Sequence, residues 1–275
     1  MRRLRPLLAL LLALLTSWSC ATVSRVSGDV PLRVMTFNIH AGHGALANTA
    51  STIRAADADI VALQEVDVHW DARSNFADQA TSLGETLGMQ VRFAPIYTLP
   101  GEAGAPRREY GVALLSRYPI SAFRNHPLTR LSTVQEGTPP SPAPGFLEAT
   151  LDVRGAPVRV FNTHLDYRAD PAVRRTQVAE TLTIIGDGSA PTLMLGDFNA
   201  PPSAPEVQPL LARLHDAWTS SAEAGLTYPA DTPVKRIDYV LASRHFVVRS
   251  VRVPAVETSD HRPVVAELTF VKNRN

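Results

Sequence analysis

The chain has 275 residues, of which 45% are hydrophobic and 19% are charged, so it is long and apolar enough to fold around a sizeable core. This composition excludes a chain that is disordered, collagen-like or coiled-coil throughout. The single cysteine excludes a disulfide framework and a cysteine-rich zinc site, and the formal net charge of +1 argues against a general polyanion binder.

The N-terminal segment predicts export. A basic stretch at 1–5 is followed by an apolar run at 6–15, PLLALLLALL, which is the pattern of a secretory signal. The run is short for a membrane span, so export is favoured over a retained anchor. Two forms stay open: a signal peptide of residues 1–21, or a lipoprotein signal ending before Cys20, which would then associate with a membrane through lipid. We therefore expect a cell-envelope lipoprotein or a secreted or periplasmic protein, and loss of residues 1–20 changes its net charge to −2.

After a linker at 22–31, the chain shows strand and helix patterns without an internal repeat and predicts one domain at 32–270, followed by a tail at 271–275. Strands are predicted at 32–38, 59–64, 90–95, 111–116, 120–123, 146–153, 158–164, 191–195, 236–241, 247–253 and 263–270. Helices are predicted at 46–56, 75–87, 171–185 and 205–214. The proline-rich segment 138–144 is predicted to stay outside any sheet. Hairpins mixed with strand–helix–strand units favour two mixed sheets packed together with helices outside.

Polar side chains stand at the ends of many of these apolar strands, directly before the last strand and, for Asp238, inside one. They are Asn38, Glu65, His164, Asp197, Asn199, Asp238, Asp260 and His261. Each one alone is typical of a turn, a cap or a surface position, but strand ends that converge at one edge of a sheet pair build a site. Carboxylate and amide oxygens with few nitrogen or sulfur donors favour Mg²⁺ or Mn²⁺ over zinc. The pattern therefore indicates metal-assisted hydrolysis of a phosphate ester.

The sequence lacks the motifs of three other kinds of enzyme site. The sequence has no Gly-x-Ser-x-Gly for a serine nucleophile and no glycine-rich loop ending in Gly-Lys-Ser/Thr for a nucleotide phosphate. It also lacks His-Glu-x-x-His, which a zinc hydrolase would carry on a helix.

Short motifs spread over residues 36–263 resemble those of the endonuclease/exonuclease/phosphatase superfamily, also called DNase I-like, and stand in the same order. The motifs are Thr36-Phe37-Asn38, Leu63-Gln64-Glu65, Asn162-Thr163-His164-Leu165-Asp166, Gly196-Asp197-Phe198-Asn199, Arg236-Ile237-Asp238-Tyr239 and Ser259-Asp260-His261-Arg262-Pro263. The resemblance implies an α/β fold, a four-layered α/β sandwich in which two mixed β-sheets pack face to face with helices outside.

The resemblance also implies catalytic roles. His261 is expected to be the catalytic histidine and Asp238 the carboxylate that orients it. Asp197 is expected to position or deprotonate the attacking water. Asn199 and His164 are expected to donate hydrogen bonds to phosphoryl oxygens as charge builds in the transition state.

The metal site is implied in the same way. Glu65 is expected to be the principal ligand of Mg²⁺, or of Mn²⁺, with Asn38 beside it, and Asp260 is expected to be a further metal- or water-orienting carboxylate. The sequence departs from the abasic-site nucleases of the superfamily at His40, where those enzymes often have aspartate.

Three functions follow from these residues. The first is an exported Mg²⁺-dependent phosphoric ester hydrolase, acting as a monomer on a phosphodiester or phosphomonoester of a lipid head group or small molecule. The second is a secreted nuclease, in which Arg107-Arg108, Arg168, Arg174-Arg175 and Lys235-Arg236 line a phosphate track for nucleic acid. The third is a catalytically idle binding module on the same fold, and the complete acid and histidine set argues against it.

Overall fold

The computed structural model describes residues 28–102, 104–135 and 137–272. The predicted export signal and Cys20 lie outside these residues. The strands are β1 (Val30–Asn38), β2 (Ile60–Val68), β3 (Gln90–Leu99), β4 (Arg108–Ser116), β5 (Ile120–Arg130), β6 (Ser141–Val153), β7 (Ala156–His164), β8 (Thr192–Asp197), β9 (His215–Asp216), β10 (Asp238–Ala242), β11 (Phe246–Arg252) and β12 (Val264–Phe270). The helices are α1 (Leu46–Ala56), α2 (Gln79–Leu87), α3 (Ala172–Ile185) and α4 (Gln208–Arg213). Within the described ranges, none of the helices has the length and apolar character of a membrane span.

The described strands form two six-stranded sheets. The first sheet has the order β11-β12-β1-β2-β4-β3 and the second the order β5-β6-β7-β8-β10-β9. Within each sheet one central pair is parallel, β1 with β2 and β7 with β8, and the other pairs are antiparallel. Both sheets are therefore mixed, as the sequence predicts.

The apolar core lies in three layers because strand side chains alternate between the two faces of a sheet. Val34 of β1 and Leu195 of β8 belong to the cluster between the sheets. Met35, the next residue of β1, belongs to a second cluster with α1 and α2, and a third cluster packs α3 and α4 on the outside of the second sheet. This arrangement confirms the predicted four-layered α/β sandwich.

A buried polar bridge joins the two sheets. Gln64 Nε2 of the first sheet donates to Asn162 Oδ1 of the second at 2.7 Å. Asn162 Nδ2 in turn donates to the carbonyl oxygens of Leu63 and Ala113 at 2.9 and 2.8 Å. Both side chains are fully buried, and a satisfied buried network fixes the relative position of the elements that carry it. The bridge lies directly before Glu65 in the chain, so it fixes the sheets relative to one another beside the predicted site.

The main difference from the sequence prediction is at 138–144, where β6 begins at Ser141 and includes Pro142 and Pro144. This part of β6 pairs with β5, whereas the pairing with β7 starts only at Leu147. Because the two prolines are two residues apart, their nitrogens lie on the same side of the strand, and only one side has a neighbouring strand. Proline is therefore tolerated in this strand.

Smaller differences concern where elements start and stop. Helix α2 begins at Gln79 and not at 75, because the Asp78 side chain caps it by accepting from Thr81 N at 2.9 Å. Asn75 and Phe76 have positive φ, which is incompatible with a helix at those positions. Strand β1 begins at Val30, two residues inside the predicted linker. Strand β5 continues well beyond its predicted end at 123, and α4 is shorter than its prediction at both ends.

Candidate active site

The ends of β1 and β2 supply the first part of the site. These strands are parallel, and Asn38 pairs with Gln64, so Glu65 follows at the same edge of the sheet. Glu65 has a φ of 56°, and the register between β2 and β4 shifts between Leu63 and Val66. This bulge turns the Glu65 side chain out of the ladder, a backbone distortion that is common at functional sites.

Strand β8 supplies the second part. Asp197 at its end pairs with His164 of the parallel strand β7 and with Asp238 of the antiparallel strand β10. The preceding residue, Gly196, has a φ of 150°, and a Cβ atom there would lie 2.2 Å from the carbonyl oxygen of Thr163. Only glycine allows β7 and β8 to run this close together, and His164 Nε2 consequently lies 3.5 Å from Asp197 Oδ2.

His261 joins the two sheets at this edge. It lies in the loop before β12 of the first sheet, and its Nδ1 lies 2.9 Å from Asp238 Oδ2 of the second sheet. Its Nε2 lies 3.7 Å from Asp197 Oδ2. Ser259 fixes the loop by donating its hydroxyl to the carbonyl oxygen of Asn38 at 2.8 Å and accepting from His261 N at 3.3 Å. The imidazole is therefore held between two buried carboxylates.

The charges of this triad are strongly coupled. Burial disfavours the imidazolium, but the carboxylates of Asp238, Asp197 and Asp260 together outweigh burial and raise the pKa of His261 to about 10. Burial and the charge of Asp238 together raise the pKa of Asp197 to about 6. At neutral pH His261 is therefore protonated, and Asp197 is a carboxylate that takes up a proton when the pH falls to about 6.

Asn38 connects Glu65 to the triad. Its Nδ2 donates to Glu65 Oε1 at 2.9 Å and to Asp197 Oδ2 at 3.2 Å, and its Oδ1 accepts from His40 N at 3.1 Å. Burial raises the pKa of the Glu65 carboxyl, but His164, the Asn38 amide and two further histidines outweigh it and hold that pKa below its usual value. Glu65 is thus an ionised carboxylate in a largely enclosed position.

Asn199 and Asp260 lie on either side of this arrangement. Asn199 has a φ of 52°; its backbone N–H donates to Asp197 Oδ1 at 2.8 Å and its Nδ2 to the carbonyl oxygen of Leu165 at 3.0 Å. Asp260 Oδ1 accepts from Ser259 Oγ at 3.2 Å and lies 3.4 Å from His40 Nδ1.

An open cavity of about 420 Å³ brings the predicted residues together. Six of them line it: Glu65, His164, Asp197, Asn199, Asp260 and His261. Asn38 and Asp238 lie behind this wall, bonded to residues that line the cavity. Other lining residues that the sequence does not identify as part of the site include Tyr110, Arg130 and Tyr228, and Lys235 of the considered basic track also lines the cavity. The Tyr228 ring packs against the His261 ring at 4.8 Å between centroids.

Two groups of side chains are candidates for holding a cation. Asp197, Asp238 and His261 each offer a ligand atom within 4.8 Å of the others. However, Nδ1 of His261 is already engaged in the contact with Asp238. Glu65 and Asp260 instead offer carboxylate oxygens toward the cavity, as hard divalent cations require. The donor chemistry of Glu65 and Asp260 therefore fits Mg²⁺ or Mn²⁺.

Three of the six arginines considered for a nucleic-acid track are neutralised by ion pairs inside the protein. These pairs are Arg168 with Asp166, Arg174 with Glu206 and Arg236 with Asp216. The Arg174–Glu206 pair is buried and the Arg236–Asp216 pair is largely enclosed, both at 2.6 Å, so these two arginines offer little charge to a phosphate backbone.

Comparison with known proteins agrees with this geometry. The sequence model of the Endonuclease/Exonuclease/phosphatase family matches residues 35–261. Uncharacterized protein YbhP of Escherichia coli K12 is 26% identical over 254 residues, which cover 86% of this chain and 95% of that protein.

Solved structures show the same fold. An endonuclease/exonuclease/phosphatase from Beutenbergia cavernae superposes with a TM-score of 0.69 at 26% identity, over 87% of this chain and 72% of that one. The mannosyl-6-phosphatase Bt3783 of Bacteroides thetaiotaomicron superposes with a TM-score of 0.65 at 17% identity, over 87% of this chain and all of that one.

Proposed function

The chain belongs to the endonuclease/exonuclease/phosphatase family, and from this membership we propose that it is a phosphoric ester hydrolase that requires a divalent cation. The observation that supports the proposal most is the buried contact between Asp238 and His261. His261 Nε2 lies 3.7 Å from Asp197 Oδ2, and His261 lines the same cavity as Glu65. A histidine oriented by a carboxylate and aimed at a second acid is an arrangement for moving protons during hydrolysis.

Each side chain around His261 has its own proposed role in the hydrolysis. Asp238 accepts the hydrogen bond from His261 Nδ1, which leaves the Nε2 proton for a phosphoryl or leaving-group oxygen. Asp197 Oδ2 lies nearest to this Nε2, where it orients a water molecule for attack on phosphorus and accepts its proton. His164, at 3.5 Å from Asp197, donates to a phosphoryl oxygen, and Asn199 lines the same part of the cavity.

The cation has its own set of residues. Glu65 and Asp260 would hold Mg²⁺ or Mn²⁺, and Asn38 would keep Glu65 in place through its hydrogen bond of 2.9 Å. A bound cation of this kind neutralises phosphoryl charge and stabilises the leaving oxygen.

We further propose that the enzyme is exported and acts on a lipid head group or a small phosphate ester. The N-terminal sequence supports export, and the ion-paired arginines argue against a continuous track for a nucleic acid. The name of the similar mannosyl-6-phosphatase supports a small phosphate ester. A secreted nuclease remains the competing function, and the experiment below separates the two.

The test is hydrolysis by residues 22–275 with Mg²⁺ of plasmid DNA, RNA, sphingomyelin, phosphatidylinositol and inositol phosphates. His261→Gln is compared with His126→Gln, which removes another histidine–carboxylate contact, 2.6 Å to Glu148, outside the cavity. We expect turnover of a lipid or small ester that His261→Gln abolishes and His126→Gln retains. Cleavage of DNA alone would establish the nuclease, and the absence of His261-dependent turnover on every substrate would contradict the proposal.

A further inference from the structure

The cavity continues from His164 to a buried arginine that the proposed reaction does not use. Arg130, the last residue of β5, lines this end of the cavity and is only 8% exposed. Its Nε donates to the carbonyl oxygen of Pro144, its Nη2 to that of Gly145 and its Nη1 to that of His164, each at 3.0 Å. The guanidinium therefore adjoins the residue that lies next to Asp197.

Arg130 differs from Arg174, the other buried arginine among the described residues, in having no carboxylate in contact. Within the described ranges no acid lies at ion-pair distance from it, although Arg174 has Glu206 as a partner. The two acids whose charges act on Arg130 have other partners: Asp166 pairs with Arg168, and Glu180 accepts from Thr129.

This isolation is unusual because buried charges in proteins are normally paired. Burial lowers the pKa of Arg130 to about 10, and the side chain is still a cation at neutral pH. The carbonyl dipoles use three of the five N–H donors of a guanidinium. A positive charge and two donors therefore remain at this end of the cavity.

The surrounding chain is shaped to admit this side chain. Gly145 has a φ of 115°, and a Cβ atom there would lie 3.1 Å from Arg130 Nη2 and 2.2 Å from a side-chain carbon of Ile96. Tyr97 and Tyr110, whose rings stack at 6.2 Å, also line this end of the cavity. The Tyr97 hydroxyl accepts from Thr133 N and Oγ1, both at 3.0 Å, which fixes the wall beside the cation.

We propose that Arg130 forms a subsite for a second anionic group of the substrate, carried by the alcohol portion of the ester. The group is a phosphate or a carboxylate, which a guanidinium binds through paired hydrogen bonds. The subsite rests on the proposed hydrolysis and narrows it to esters that carry a negative charge besides the scissile phosphate. It lies on the His164 side of the reaction centre because Arg130 bonds to the backbone of that residue.

The test compares substrates that differ in one anionic group. The monoester pair is inositol 1,4-bisphosphate against inositol 1-phosphate, and the diester pair is glycerophosphoserine against glycerophosphoethanolamine. The measured quantity is the ratio of kcat/KM for the two substrates of a pair. A substitution that only impairs the enzyme in general lowers both values and leaves this ratio unchanged. The first pair detects a phosphate and the second a carboxylate.

We expect wild type to prefer the more anionic member of at least one pair by tenfold or more, mainly through KM. Arg130→Met should reduce this ratio at least tenfold. Arg130→Lys keeps the positive charge but loses the planar guanidinium, and it should reduce the ratio at least threefold. This variant tests the subsite if Arg130→Met does not fold. The matched control is Arg159→Met, which also removes a guanidinium bonded to backbone carbonyl oxygens but lies outside the cavity and pairs with Glu148, so it should leave the ratio unchanged.

Three results would overturn the subsite: equal rates within both pairs for wild type, an unchanged ratio in the folded Arg130 variants, or an equal loss of the ratio in Arg159→Met. A purely structural role for Arg130 predicts a lower melting temperature with an unchanged ratio. The absence of hydrolysis of any of the four substrates would instead count against the proposed function itself.

Discussion

Replacing Asp238 with asparagine tests the electrostatic design of the site most sharply. Asparagine keeps the size of the side chain but removes the charge 2.9 Å from His261 Nδ1, in a place where both residues are buried. That charge is the largest of those that raise the pKa of His261 to about 10 although burial opposes protonation. Without it, burial is opposed only by the charges of Asp197, at 3.7 Å, and of Asp260, and the pKa of His261 should fall.

The expected magnitudes follow from this contact. A hydrogen bond to a charged group contributes about 1.5–3 kcal/mol to stability, and general acid–base catalysis contributes about 10²–10⁴-fold to rate. The pKa of His261 is higher in the folded protein than its ordinary value of 6.5. The stabilisation is therefore complete below about pH 6.5 and is lost as pH rises through about 10. In Asp238→Asn this decline in stability between the two pH values should disappear.

The assay combines kcat measured from pH 5 to 10, urea unfolding at pH 6 and pH 10, and NMR titration of the His261 imidazole. Asp216→Asn is the matched control, since it removes another buried carboxylate, 2.6 Å from Arg236, outside the cavity. We expect the control to lose stability and to keep kcat, and Asp238→Asn to lose both. An unchanged pKa of His261 or an unchanged kcat in Asp238→Asn would refute the reasoning.

Three further predictions concern the cation, the bridge between the sheets and the close approach of two strands. Glu65→Gln removes an ionised carboxylate and should weaken Mn²⁺ binding at least tenfold by calorimetry, with an unchanged melting temperature; equal affinity would contradict the assigned site. Asn162→Leu removes the hydrogen bond from Gln64 and both bonds from Asn162 to backbone carbonyl oxygens, and it should cost about 1–3 kcal/mol in urea unfolding, whereas a neutral effect would show that the bridge adds no stability. Gly196→Ala places a Cβ atom 2.2 Å from the Thr163 carbonyl oxygen and should cost about 1–3 kcal/mol and lower kcat; wild-type stability and kcat would count against the steric argument.

Much of the fold and of the cavity wall can be predicted from the sequence for a simple physical reason. Asn38, Glu65 and Asp197 each stand where an apolar run stops, and side chains at the ends of neighbouring strands meet at one edge of a sheet. Apolar runs and alternation along the strands predict the layers between and outside the sheets. The motifs that resemble the superfamily then identify the order in which the strands carry these residues.

Other parts depend on contacts that no local pattern reveals. The burial of Arg130 depends on Gly145, fifteen positions away, and the position of Tyr228 against His261 depends on a long loop. The strand character of Pro142 depends on the absence of a second neighbouring strand, which is a property of the assembled sheet. These features determine the shape of the cavity around the reacting groups. The sequence therefore predicts the type of reaction better than it predicts the identity of the substrate.

The most direct test of the central claim is hydrolysis of an identified phosphate ester in water enriched in oxygen-18, with Mg²⁺, under single-turnover conditions. If the residues around Asp197 and His261 direct water onto phosphorus, mass spectrometry should find one heavy oxygen in the phosphorus-containing product and none in the alcohol. Label in the alcohol would contradict attack at phosphorus. Turnover that persists unchanged in both Asp197→Asn and His261→Gln would contradict the assignment of the site.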